Sequence, residues 1–122
     1  MPVRAEVDDG MIALRMIGDY ETADIRGALR AALDGQPAGS VRGLLFDVRA
    51  STSLAGRPTD ALREMASFLS LQGPAYGGRM ALVASEDFAY GLMRMGSTLV
   101  QFEGVEATVF RDEAEAWTWL RR

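Results

Sequence analysis

The sequence predicts a single α/β domain over residues 1–122, built on a mixed five-stranded sheet whose first strand is antiparallel and whose other strands are parallel. Asp9-Gly10 separates two apolar segments in the manner of a two-residue hairpin turn. After this turn, short apolar runs alternate with segments of helical periodicity. Alternation at this pitch is typical of parallel strands joined by right-handed crossovers.

The strands are predicted from alternating and from continuous apolar segments. Residues 3–8 alternate and indicate an edge strand, and the more apolar segment 11–18 returns beside it. The run "VRGLLFDV" is apolar almost throughout, as expected for a strand that is covered on both faces. The five predicted strands span residues 3–8, 11–18, 41–48, 79–85 and 105–110.

Four main helices are predicted from apolar residues spaced three and four positions apart. In the first helix, Ile25, Leu29 and Leu33 share one face, and Gly35 ends the helix. In the last helix, Trp117 and Trp119 lie about 200° apart around the axis, so one of them is left for a rim or a contact. The predicted helices span residues 23–34, 58–71, 88–102 and 112–122.

The 88–102 helix is apolar over more than one face, which suggests burial on two sides. Met93 and Val100 lie off its main stripe. The second covering surface is a neighbouring protomer, a lipid-like ligand or simply the adjacent helix. Met93 and Val100, with the spare Trp117, are therefore the predicted interface of a homodimer. The main stripe recurs at 4-3-4-3 spacing and is predicted to face the core: Phe88, Leu92, Met95, Leu99 and Phe102.

Composition excludes several classes of function. The chain has neither cysteine nor histidine, which removes thiolate nucleophiles, zinc–sulfur sites and the commonest general base. Its net charge is −4, and its 13 basic residues are arginines scattered along the chain, without the basic stripe of a nucleic-acid binder. No window approaches the roughly 18 apolar residues of a membrane span, and no signal peptide is visible. We expect a cytoplasmic protein without enzymatic activity, cofactor or metal.

The segment "LLFDVRASTS" is the best candidate for a functional loop. Asp47 lies near the carboxyl end of a buried strand, where ligands of open α/β sheets bind. The following hydroxyls are able to accept a phosphate, which nearby arginines would pair. The alternative is structural, because Asp and Ser commonly satisfy backbone groups of a turn. The candidate switch or ligand loop comprises Asp47, Arg49, Ser51, Thr52, Ser53 and Arg57.

Several segments together resemble one known family. The opening hairpin, "GLLFDVR", "RMALVAS", the "YGLMRM" helix and the terminal "VFRDEAEAWTWL" resemble SpoIIAA-like proteins of the STAS superfamily. That superfamily includes anti-sigma-factor antagonists and the cytoplasmic domains of sulfate transporters, and this chain resembles its small stand-alone branch. The resemblance implies a βα superhelix with strands in roughly sequential order. It also implies a regulatory or protein-interaction module, or alternatively a carrier of a small hydrophobic or lipid-like ligand.

The hydroxyl loop departs from the pattern of the antagonists. In those proteins the matching strand is followed by an Asp-Ser-Ser/Thr-Gly-type motif, and a serine at the start of the next helix is phosphorylated by a partner kinase. Here "LAGRP" separates Ser53 from the predicted helix. We therefore predict an antagonist-like fold without the intact phosphoserine motif, in which the loop is at most a recognition surface.

Overall fold

The Asp9-Gly10 turn joins β1 (Val3–Asp8) to β2 (Met11–Gly18) as an antiparallel hairpin. Both turn residues have positive φ, 49° at Asp9 and 76° at Gly10, which is the backbone conformation that a two-residue hairpin turn requires. The predicted hairpin is therefore present, and it supplies the antiparallel pair of the sheet.

The computed structural model describes residues 2–56 and 59–122. Within these ranges the sheet is completed by β3 (Gly43–Ser51), β4 (Arg79–Val83) and β5 (Glu106–Phe110), in the spatial order β1-β2-β3-β4-β5. The pairs β2–β3, β3–β4 and β4–β5 are parallel. The predicted mixed five-stranded α/β architecture is confirmed.

Helices cover the two faces of the sheet unequally. α1 (Thr22–Asp34), α2 (Thr59–Leu71) and α3 (Asp87–Phe102) pack on one face, and the eight-residue α4 (Glu113–Leu120) packs on the other. Successive side chains of β3 alternate between these faces, so Leu44 and Phe46 join the larger core while Leu45 joins the smaller one. No helix in the described ranges is long and apolar enough to span a membrane.

The α3 helix faces the sheet with the side opposite to the predicted one. Met93 and Val100 are only 3% and 2% exposed, and Gly96 and Ser97 are buried between them. This side of α3 packs against α2, since a Cβ added at Gly96 would lie in ordinary van der Waals contact with Leu62 Cδ1, at 3.8 Å. The assignment of Met93 and Val100 to an exposed interface was therefore wrong.

Three of the five 4-3-4-3 residues form the outer side of α3, while Leu92 and Leu99 are half-buried against the larger core. Phe88, Met95 and Phe102 are 60%, 52% and 84% exposed, whereas the prediction placed them in the core. Periodicity had identified both apolar sides of this helix correctly. It could not rank them, because the choice depends on which side lets the helix sit close to its neighbours.

This orientation predicts opposite stability effects at two methionines that are two residues apart. Met93→Ala leaves a cavity in the core, and we expect it to lower the free energy of unfolding by about 2–5 kcal/mol. Met95→Ala removes an exposed side chain, and in dilute protein we expect a change within about 0.5 kcal/mol. Urea denaturation of both variants measures the difference, and a larger loss for Met95→Ala would show that the helix orientation is wrong.

Candidate functional site

Asp47 is the centre of a paired ionic cluster on the α4 face of the sheet. It lies opposite Arg15 in the β2–β3 register and is only 6% exposed. Its Oδ2 accepts hydrogen bonds from Arg15 Nη1 at 2.7 Å and from Arg49 Nη2 at 2.9 Å. Its Oδ1 accepts from the Nε and from the backbone N–H of Arg49, both at 3.0 Å. Both carboxylate oxygens of Asp47 are therefore paired.

Glu113, the first residue of α4, completes the cluster from the face of the sheet that α4 covers. Its two oxygens accept a bidentate pair from Arg15, at 3.0 Å from Nη1 and 2.9 Å from Nη2. Arg49 also donates to Glu113 Oε1, and Trp117 Nε1 donates to Oε2 at 2.9 Å. Arg15 further donates its Nε to Glu6 of β1 at 2.9 Å. The cluster thereby links three strands to the start of α4.

Electrostatics keep both inner carboxyl groups ionised. Hydrogen bonds from Arg15 lower the pKa of Glu113 to about 2, and the Trp117 hydrogen bond acts in the same direction against the desolvation of the group. Burial alone would raise the pKa of Asp47, but the hydrogen bonds and charge of Arg49, with those of Arg15, lower it below its usual range. The same contacts raise the pKa values of Arg15 and Arg49.

This electrostatic arrangement suits structural pairing better than proton transfer. A general acid that works near neutral pH needs a carboxyl group whose pKa is raised, whereas those of Asp47 and Glu113 are lowered. In the part of the chain that the structure describes, no group of three or more acidic side chains is placed to hold a metal ion. The cluster attaches α4 to the sheet.

The sequence indicated two members of this cluster and missed the other two. Asp47 and Arg49 were candidate loop residues, and the structure brings them together. Arg15 was missed although it is the one charged residue in the apolar strand "MIALRMIG", a signal that could have singled it out. Glu113 had no comparable signal, because it lies 98 positions from Arg15 and meets it only through the fold.

The predicted hydroxyls follow Arg49 in the chain and are separate from the start of α2. Ser51 ends β3, the backbone N–H of Thr52 donates to Gly18 O at 3.0 Å, and the backbone N–H of Ser53 donates to Ser51 Oγ at 3.4 Å. A short 3₁₀ turn, Leu54–Gly56, follows, and α2 begins only at Thr59. The three hydroxyl residues therefore occupy a strand end and a turn.

Of the two arginines proposed as phosphate partners, the structure describes Arg49, whose guanidinium is already paired. Arg49 is committed to Asp47 and Glu113, and Arg57 lies outside the described residues. The cleft beside Ser51 and Thr52 is also lined by Glu86, whose carboxylate would repel a phosphate.

Trp117 is half-buried and forms part of the rim around the smaller core. Its indole donates to Glu113, and the Arg121 guanidinium lies 5.1 Å from its ring centroid. Trp119 packs against Phe110 at a centroid distance of 5.8 Å and under the Arg79 guanidinium at 4.3 Å. Both tryptophans make contacts within the chain, and the assignment of Trp117 to a homodimer interface stays a prediction.

The exposed side of α3 carries a continuous apolar surface that we call the α3 stripe. Of its five residues, the first, the middle and the last are exposed, and the two leucines between them are half-buried. Phe88 also lines the cleft of the hydroxyl loop, so the stripe begins next to that loop. The α3 stripe comprises Phe88, Leu92, Met95, Leu99 and Phe102.

An apolar cavity lies beside the α3 stripe, between α1, α2, α3 and β3. Its volume is about 110 Å³. Leu92 and Met95 belong to both the stripe and the cavity wall, which places the mouth of the cavity along the stripe. The remaining wall is mostly apolar and includes Ile25, Phe46, Leu54, Leu62, Met65 and Met93.

Comparison with known proteins identifies the fold. The sequence model of the SpoIIAA-like family matches residues 11–121 of the chain. None of the curated proteins matches the chain. Among solved structures, the chain is similar to an uncharacterized DUF3478-family protein with a SpoIIAA-like fold from Shewanella loihica. The two chains are 20% identical with a TM-score of 0.60, and the match covers 97% of this chain and 91% of the other.

The ionic cluster predicts a specific dependence of stability on pH. Because the folded state lowers the pKa of Glu113 from 4.5 to about 2, its contribution is present above pH 5 and is lost as the pH falls towards 2. Glu113→Gln should therefore lower the free energy of unfolding by about 2 kcal/mol at pH 7, allowing for partial exposure of the pair. The variant and the parent should converge near pH 2.

Denaturant unfolding at several pH values measures this effect. Glu115→Gln is the matched control, because Glu115 is an exposed residue in the same helical turn, and we expect a change within about 0.5 kcal/mol at every pH. A difference between Glu113→Gln and the parent that is constant from pH 7 to pH 2 would contradict the assigned pairing.

Proposed function

Because the chain belongs to the SpoIIAA-like family, we propose that it is a non-enzymatic protein-interaction module of the regulatory kind found in STAS domains. The observation that carries the proposal is the α3 stripe. Its three exposed residues, Phe88, Met95 and Phe102, recur every seven positions, so they lie along one line of the helix surface.

The α3 stripe differs from scattered exposed apolar residues because its side chains are neighbours along one side of the helix. Single exposed apolar side chains are normal on soluble proteins, whereas a continuous apolar patch usually marks a contact with another molecule. A line of apolar residues along a helix matches helix recognition, in which anchors at turn-length intervals enter a groove or meet a second helix. The α3 stripe therefore suits a protein partner that presents an elongated apolar surface.

The hydroxyl loop adds a polar edge to the proposed surface. Phe88 shares a cleft with Ser51 and Thr52, so a partner that covers the start of the α3 stripe also reaches this loop. We assign the loop a role in recognition. Its distance from the start of α2 and the commitment of Arg49 argue against a phosphoserine switch of the antagonist type.

Enzymatic activity is disfavoured by the chemistry of the available side chains. The chain contains no histidine or cysteine, and its best-organised carboxyl groups, Asp47 and Glu113, are held ionised by arginines. Nucleophile activation and general acid catalysis both need groups with different properties.

A second candidate function, a carrier of a small hydrophobic or lipid-like ligand, is favoured by the apolar cavity. The cavity is small, about 110 Å³ against the roughly 300–1,000 Å³ typical of ligand pockets, so a carried ligand would be small or would displace the flexible methionines on its wall. Native mass spectrometry of protein purified from cells distinguishes the candidates. A retained small molecule that is lost in Ala61→Trp, on the cavity wall, but kept in the exposed control Ala31→Trp would favour the carrier.

Site-specific photocrosslinking tests the interaction module directly. A benzophenone amino acid replaces Met95 at the centre of the α3 stripe, and in control proteins it replaces Ala31 or Thr118, which are exposed on α1 and α4. In intact cells we expect a defined protein adduct from position 95 that is at least tenfold stronger than from the controls. The adduct should disappear when Phe88→Ser and Phe102→Ser are added, because these remove the flanking contacts. Equal adducts at all positions, or none at 95, would refute the proposal.

A further inference from the structure

We propose that the partner of the α3 stripe is a second copy of this chain, with the two α3 helices packed antiparallel across a twofold axis. This inference rests on the proposed function and names the partner of the same surface. It places the homodimer contact on residues that the sequence had assigned to the core.

The order of side chains in the α3 stripe is the first support. Read from either end, the stripe runs Phe, Leu, Met, Leu, Phe, with Met95 at its centre. An antiparallel pair centred on Met95 places Phe88 of each copy against Phe102 of the other and places Met95 against its own counterpart. A twofold contact needs a surface that is complementary to itself, and this order meets that requirement to within one position, because Leu92 lies three residues before Met95 and Leu99 four residues after it.

The symmetric order selects the antiparallel arrangement over the parallel one. In a parallel pair each residue meets its own counterpart whatever the sequence, so the parallel arrangement does not require a symmetric order of side chains. Antiparallel packing does place that demand, and it also sets the two helix dipoles in opposition. The 4-3-4-3 spacing follows a repeat of 3.5 residues, which is the narrow seam of two helices packed at a small crossing angle.

The exposed area is sufficient for a reversible dimer. Phe88 and Phe102 present about 290 Å² between them, taking about 200 Å² for a whole phenylalanine side chain. Two copies thus contribute roughly 600 Å² before Met95, the leucines and the polar rim are included, and the total approaches the ~1,200 Å² lower limit of stable interfaces. We therefore expect a weak, reversible dimer and not an obligate one.

Charge argues against a membrane as the alternative occupant. Glu86 and Asp87 stand at one end of the stripe and Glu103 stands at the other, and the chain carries a net charge of −4. Anionic lipid surfaces attract basic segments and repel acidic ones. The α3 stripe has the apolar residues of a membrane-binding helix without the basic flanks. In the antiparallel pair Asp87 of one copy lies level with Glu103 of the other, and the ion pair of Asp87 with Arg111 at 2.9 Å in its own chain offsets part of that repulsion.

Disulfide trapping tests the arrangement, because the chain contains no cysteine of its own. In the proposed dimer the two Met95 Cα atoms lie within the roughly 4–7 Å that a disulfide spans, so Met95→Cys should give mostly covalent dimer on mild oxidation of the purified protein. Phe88→Cys alone should not, because its two copies lie about 21 Å apart along the helices. Mixing Phe88→Cys with Phe102→Cys should restore the crosslink between unlike chains.

Each outcome decides the inference. Efficient crosslinking of Phe88→Cys with itself indicates a parallel pair and overturns the antiparallel arrangement. Crosslinking of Met95→Cys no faster than that of the exposed control Thr118→Cys overturns the second copy as partner. The proposed function would survive that result if position 95 still gave an adduct with a different protein in cells. Sedimentation of the parent and of Phe102→Arg checks the same point without a thiol, and we expect at least a tenfold weaker dimer for the variant.

Discussion

The α3 helix carries two apolar sides, and one sheet can cover only one of them. The side that carries Met93, Gly96, Ser97 and Val100 faces inward, against α2 and the sheet. The side with the large residues Phe88, Met95 and Phe102 is left outside. Burying a large apolar side chain stabilises a contact by about 1.5–3 kcal/mol. Covering this outer side with another molecule would therefore stabilise the complex.

The opposite face of the sheet is covered in a different way. The α4 helix has only eight residues, too few for a stable helix in isolation, and it contributes Ala116 and Leu120 to a small core. Glu113 at its start is bound to Arg15 and, through Arg49, is connected to Asp47. Partly buried ion pairs add little net stability because desolvation offsets their attraction, but losing one partner is costly. The cluster therefore acts mainly to hold α4 in one position, and it leaves α3 as the helix with an uncovered side.

The sequence predicted the elements of this fold well and their packing less well. Hairpin, strands and helices follow from turn chemistry and from periodicity, which are local properties. β3 extends to Ser51, beyond the predicted end at residue 48, because it resumes pairing with β2 after an irregularity in the register. The side of α3 that faces the core was predicted wrongly, because volume and closeness of approach, not periodicity, decide between two apolar sides.

The site shows the same division between local and long-range information. Asp47 was recognised from its position at the end of an apolar strand, and its near neighbour Arg49 followed. Arg15 and Glu113 reach Asp47 only through strand register and through the return of α4, which no local pattern encodes. The α3 stripe was visible as a 4-3-4-3 pattern, but its symmetric order gained meaning only when the structure placed it on the surface.

Methionine oxidation provides the most direct measurement of whether the α3 stripe is covered by a second copy. Met95 is the only exposed methionine in residues 2–56 and 59–122, so its peroxide oxidation rate reports on the surface itself. The account predicts that Met95 is oxidised markedly more slowly at protein concentrations tenfold above the dissociation constant measured by sedimentation than tenfold below it, while buried Met93 stays slow throughout. A Met95 rate that is the same at both concentrations would contradict the account.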